Sequence, residues 1–224
     1  MSTRAKLSSL HPVGVWRAAV SLADEILLQF HHQKSVRLSR KLVDGSDLKL
    51  HLGCGPNRKP GWINIDLYDT GADLRLDMRE RLPFKDNSVS LIYSEHFFEH
   101  VAYPGEVMHL LAESRRILVP NGIFSVGVPD TVLDLRAYLE LNPSYEKDVW
   151  DRWHPKWCNT RMHHLNYHFH QEGEHKYSYD FETLAQVLTE AGFVGVIQRP
   201  WNPALDQESR RDATLYVDAY KPGS

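Results

Sequence analysis

Asp66 closes a short apolar run, Trp62-Ile63-Asn64-Ile65, and a carboxylate at the end of a buried strand can accept hydrogen bonds from both hydroxyls of a diol such as a ribose. Eleven residues earlier stands Gly55, in a turn, Leu52-Gly53-Cys54-Gly55, that follows the apolar positions Leu48, Leu50 and Leu52. Glycines there let backbone come close to a ligand that a Cβ would block. A second group of chemistry-bearing residues is rich in imidazole. His163-His164-x-x-x-His168-x-His170 lies near Trp150, Trp153, Trp157, Tyr167 and Tyr177. Imidazoles at these spacings can converge on a metal. No zinc signature with paired cysteines accompanies them, and histidines in aromatic loops more often make structural or substrate contacts, so no metal ligand is assigned. The aromatic faces suit stacking on a glycan or a small core beneath a lid.

Elements must hold these residues. Leu48–Leu52 and Ile63–Asp66 predict two strands, with too little room between Gly55 and Ile63, and too much proline, for a crossover helix. Asp73–Asp77 predicts a short third strand. Alternation over Val89–Ser94 predicts a fourth, which delivers Glu95 and His96 into a crevice. Helical spacing runs over 105–118 and is ended by Pro120-Asn121-Gly122; strand 123–128 and a short helix over 133–141 follow. Asp180 caps a helix to Ala191-Gly192, and 194–197 pairs with 215–219. Residues 142–178 form a long insertion, read as a lid or substrate wall. Upstream, 1–11 reads as a frayed terminus. Val15, Ala18, Leu22, Ile26, Leu27 and Phe30 predict amphipathic helices over 13–43 that cap the sheet edge or cover the site.

The order of these pieces resembles the small single-domain branch of the class I S-adenosylmethionine-dependent methyltransferases, the type 11-like group. Leu52-Gly53-Cys54-Gly55, Asp66, Asp77, Leu82-Pro83-Phe84, Ser94-Glu95-His96 and Pro120-Asn121-Gly122 carry the resemblance over roughly 48–130. It implies an α/β, Rossmann-like, seven-stranded sheet with helices on both faces and a shortened first crossover helix. The implied division is a helical appendage over 1–46 and a methyltransferase domain over 47–224, starting at the turn Asp44-Gly45-Ser46-Asp47. S-adenosyl-L-methionine is the implied cofactor. Its implied contacts are Gly53, Cys54, Gly55, Asn57, Asp66, Leu67, Asp77 and Met78 (the last two at the adenine), Ser94 and Glu95. A dinucleotide site would demand a third glycine and a later acidic residue, both missing here. His96, beside the sulfonium by its motif position, is the first candidate base, or else a residue that shapes the pocket; His163 and His164 are second candidates. Glu99-His100 also fits the family, with packing and capping as its expected job.

A net charge of −3 over 224 residues, without long basic runs, argues against a dominant grip on nucleic acid. Two cysteines in different contexts and no membrane-length apolar stretch point to a cytoplasmic protein. The favoured reading is O-methylation of a small molecule or a sugar or polysaccharide intermediate, since the family includes methyltransferases that accompany polysaccharide synthesis. Methylation of RNA or protein, using Arg58-Lys59, Arg115-Arg116 and Arg210-Arg211, and a non-catalytic cofactor-binding module are the alternatives.

Overall fold

A computed structural model describes residues 13–40, 47–68 and 70–223. The expected frayed terminus and most of the turn at 44–47 lie outside them. Seven strands form one sheet in the order β3-β2-β1-β4-β5-β7-β6. They are β1 (Leu48–Leu52), β2 (Ile63–Asp66), β3 (Leu74–Arg75), β4 (Val89–Glu95), β5 (Leu118–Pro129), β6 (Val194–Gln198) and β7 (Thr214–Tyr220). β1 to β5 pair in parallel, and β7 runs antiparallel to both neighbours. The chain builds outward from β1 to β3, then returns to lay β4 against the other side of β1. That reversal opens a crevice beyond the carboxyl ends of β1 and β4, where ligands of doubly wound sheets bind.

The strands on either side of that crevice are apolar because both faces are covered. Leu50, Leu52, Ile65, Ile92, Phe124 and Val126 are fully buried, against Leu110 and Leu111 of α2 (Gly105–Ile117) and Leu184 and Leu188 of α5 (Phe181–Glu190). Each such side chain contributes about 1.5–3 kcal/mol relative to its exposed state. Asp180 caps α5 by accepting from the Thr183 N–H at 2.8 Å. No helix joins β1 to β2; residues 53–62 are turns, as two prolines there require. β5 starts at once after α2, so Pro120-Asn121-Gly122 lies inside the strand, with Asn121 at φ +61°, rather than in a loop before it.

α1 (Val13–Ser39) is one helix, and its docking differs from the expectation. His32, Ser35 and Ser39 face β3 and its neighbours: the Arg75 N–H donates to Ser35 Oγ, and the Asp77 N–H to His32 Nδ1. Val15, Leu22, Ile26, Leu27 and Phe30 are all exposed, because the helix docks through the face that carries His32, Ser35 and Ser39.

The insertion is folded. After α3 (Thr131–Glu140), residues 143–153 make short helical turns, and α4 (Arg161–His170) packs on α3. Trp150 is buried in a small core with Ala137 and Val149, and so is a packing residue rather than a substrate wall. Asp134 of α3 ties this core together, accepting from Trp150 Nε1 at 2.6 Å, Tyr145 Oη at 2.8 Å and His168 Nδ1 at 3.1 Å. Burial pushes its carboxyl up, but these hydrogen bonds outweigh that and hold it below the ordinary range.

Candidate active site

Gly53, at φ +63°, turns the chain out of β1. A Cβ there would sit 2.4 Å from Phe97, so only glycine fits. Beside Gly55 the space is free of protein: a Cβ would meet no atom within 4 Å. Asp66, at the end of β2, accepts from the Gly55 N–H at 2.7 Å and the Tyr68 N–H at 2.9 Å. These bonds fix the carboxylate at the rim of a cleft of about 540 Å³ and leave lone pairs directed away from the backbone.

The cleft brings together Gly53, Cys54, Gly55, Asn57, Asp66, Leu67, Asp77, Met78, Glu95 and His96. Ser94 does not reach it; the residue is fully buried within β4 and its hydroxyl has no partner. The Cys54 thiol is pushed up to about 11 by burial, with Asp66 adding to the effect, which makes it a packing group. Asp77 is clamped by Arg79, which donates to both carboxylate oxygens at 2.7–3.1 Å and also pairs with Glu25 of α1 at 2.8 Å. An adenine amine can reach that carboxylate only where Arg79 yields a lone pair.

A second cavity of about 220 Å³ adjoins the first and is lined by Glu99, Asp134, Trp153, His154, Tyr167, His168 and His175. His96, His100 and Arg210 line both, so the two compartments meet at these three side chains. His96 ends β4 in the left-handed region, at φ +53°, a conformation that side chains other than glycine rarely hold without support. Thr214 Oγ1 donates to the Arg210 carbonyl, so its remaining capacity accepts from His96 Nε2–H at 2.8 Å. The lone pair of His96 is therefore on Nδ1, which faces Glu99 Oε1 at 3.8 Å. Burial, reinforced by the Arg210 cation, holds His96 well below its ordinary value, so the ring is neutral at pH 7.

His163 and His164 line neither cavity. His164 stacks on Trp150 at 4.7 Å and shares a hydrogen bond with His154 Nδ1 at 2.9 Å; His163 packs near Trp157. α4 starts at Arg161, and its helical turn directs His168 inward instead. Glu99, expected to pack and cap, is buried with its carboxyl between His96 and His100, and burial pushes it up to about 8. Its spacing from His96, three residues on, was the available signal. Arg210, Asp134 and His175 carried none, since only the folded chain brings them to the same place.

The family model for a methyltransferase domain matches residues 63–126, from β2 into β5. Over that stretch the chain is similar to a methyltransferase domain. Such domains use S-adenosyl-L-methionine, and the open glycine turn and the aimed Asp66 carboxylate fit that group. A curated relative, an uncharacterized 37.1 kDa protein in a transposon of Streptomyces fradiae, is 26% identical over 145 residues, which is 53% of this chain and 41% of the relative. The chain thus spans about two-fifths of that relative's length. Among solved structures, an S-adenosylmethionine-dependent methyltransferase of Archaeoglobus fulgidus is similar at 16% identity and a TM-score of 0.48, over 85% of this chain and 94% of that one. A phosphoethanolamine N-methyltransferase of Haemonchus contortus, solved with phosphomonomethylethanolamine and S-adenosylhomocysteine, is similar at 13% identity and a TM-score of 0.47, over 85% of this chain and 52% of that one.

Proposed function

We propose that the protein O-methylates a small hydroxylated acceptor, such as a sugar or polysaccharide intermediate, with residues 47–224 as the catalytic unit. The observation that carries this reading is the meeting of a nucleotide-sized cleft with a small cavity of about 220 Å³ at His96, His100 and Arg210. That volume suits one ring-sized group rather than a polymer chain. Trp153 and Tyr167 offer it apolar faces, and the histidines and Arg210 offer polar contacts.

The cofactor supplies an electrophilic methyl group on a sulfonium, and the chain's residues do the rest. Asp66 and the glycine turn orient the nucleoside, Asp77 and Met78 border its adenine end, and Glu95 lies deep in the cleft. His96, neutral with its lone pair on Nδ1, would take the acceptor's hydroxyl proton while the sulfonium supplied the methyl group and left as the neutral thioether. Arg210, fixed by donating to the Glu95 carbonyl at 3.0 Å, holds the acceptor's oxygen side.

The partners of the paired basic positions favour a small acceptor over nucleic acid. Arg58 pairs with Asp73 at 2.6 Å, Arg116 with Glu113 and Asp86 at 2.7 Å, and Arg210 points inward. Cys54 and Cys158 are free thiols, which supports a reducing, cytoplasmic setting, and no helix among the described residues is long and apolar enough to cross a membrane. The test is transfer of a labelled methyl group from S-adenosylmethionine to panels of nucleotide sugars and oligosaccharides, with bulk RNA and protein alongside. Labelling of a sugar panel alone supports the reading; labelling of RNA or protein alone overturns it.

A further inference from the structure

The wall shared by the two cavities holds more polar groups than proton transfer needs. Glu99 is 3% exposed at its side chain, its Oε1 lies 3.9 Å from His100 Nε2, and its Oε2 has no partner. A carboxyl buried in this way holds its proton unless a cation stands in the proton's place. The two neighbouring imidazoles are locked in one tautomer. His100 Nδ1 donates to the Glu174 carbonyl at 3.2 Å, and His175 Nδ1 to the His168 carbonyl at 2.6 Å. A carbonyl can only accept, so both protons are on Nδ1 and both Nε2 atoms present bare lone pairs. The rings meet edge to face, 5.0 Å apart, and the donor atoms of Glu99, His100 and His175 lie within 4.8 Å of one another.

Two imidazoles and a carboxylate, each imidazole oriented by a main-chain carbonyl, are the outer and inner arrangement of a metal centre. We infer that Glu99, His100 and His175 bind a divalent first-row transition metal ion, of which zinc is the simplest probe. Bonds of about 2.0–2.1 Å would draw the donor atoms somewhat closer than they stand. The three ligands line the small cavity together with His96, so a coordination position open to that cavity faces the acceptor. On the reading given above, the ion would polarise the acceptor hydroxyl whose proton passes to His96. The metal site itself stands independently of that reading.

A second convergence, His154, Cys158 and His164, lacks these marks. His154 and His164 already satisfy each other through their Nδ1 atoms, and His164 is stacked on Trp150.

The experiment titrates the chelator-stripped full chain with Zn²⁺ against a chelating indicator and records the Co²⁺-loaded spectrum. The expected result is one tight equivalent, weakened by more than roughly 100-fold in Glu99→Gln and His175→Asn and unchanged in Cys158→Ser. Visible Co²⁺ bands without a thiolate charge-transfer band are expected as well. S-adenosylmethionine titration of each variant, in the cleft that Glu99 and His175 do not line, reports that it is folded. No stoichiometric binding, or a thiolate band that disappears in Cys158→Ser, overturns the inference. Metal binding is read without any acceptor, so failure of the O-methylation reading leaves this result unaffected.

Discussion

The two halves of the candidate active site are built by different means. The larger cleft is made of backbone and short-range carboxylates: Leu48 to Asp66 spans one strand, one turn and the next strand, and its key bond joins the Gly55 N–H to Asp66. The small cavity is made of side chains from the end of β4, from α3, from the insertion and from the turn before β7, which no short stretch contains. A conserved task can be written in a compact motif, whereas a changeable one is written on elements that the sheet only holds in place. The two halves should therefore fail separately.

The largest expected effect falls where they touch. His96→Ala should lower kcat for methyl transfer by about 10²–10⁴-fold, measured in steady state with saturating cofactor. A comparable loss in cofactor affinity would mean that His96 belongs to the cleft alone. Next in size is the core of the insertion. Trp150→Ala should cost about 3–5 kcal/mol in urea unfolding, concentrated in 142–178, while the cleft still binds cofactor. Simultaneous loss of cofactor binding would show that the halves are not separable.

Asp134 sharpens the comparison through pH. Its carboxyl is held below the ordinary range in the fold, so its contribution is full above the unfolded value near about 4 and is lost as pH falls below that. Wild type should exceed Asp134→Asn by about 1–2 kcal/mol near neutrality, and the difference should shrink in urea titrations at pH 3. The smallest effect is expected from Trp153→Ala, on the partly exposed wall of the small cavity. The acceptor KM should rise about 5- to 10-fold with kcat little changed, in initial-rate assays, as the loss of one stacking face implies.

The same division governs what the amino-acid sequence disclosed. Alternation and glycine placement located β1, β2 and β4 and the cleft residues around them, since those contacts are local and the strands' periodicity is strict. Periodicity in α1 was real in pattern but silent on whether a partner surface existed, so Leu22, Ile26 and Phe30 were assigned to a packed face and are exposed. In the insertion, His163 and His164 looked equivalent to His168 by composition. Only the phase of α4 separates them, turning His168 toward Asp134 and Thr131 and leaving the other two outside both cavities. Arg210 reads as half of a surface basic pair until the turn before β7 carries it inward.

The measurement that tests the central claim most directly is calorimetric titration with S-adenosylmethionine of wild type, Asp66→Ala and Trp153→Ala. The account predicts one equivalent bound by wild type, about 10- to 100-fold weaker binding by Asp66→Ala, and an unchanged affinity for Trp153→Ala, because a charged acceptor's hydrogen bonds contribute about 1.5–3 kcal/mol. A folded wild-type protein that binds no S-adenosylmethionine, or an Asp66→Ala variant that binds it as tightly, would contradict the assignment of the cleft.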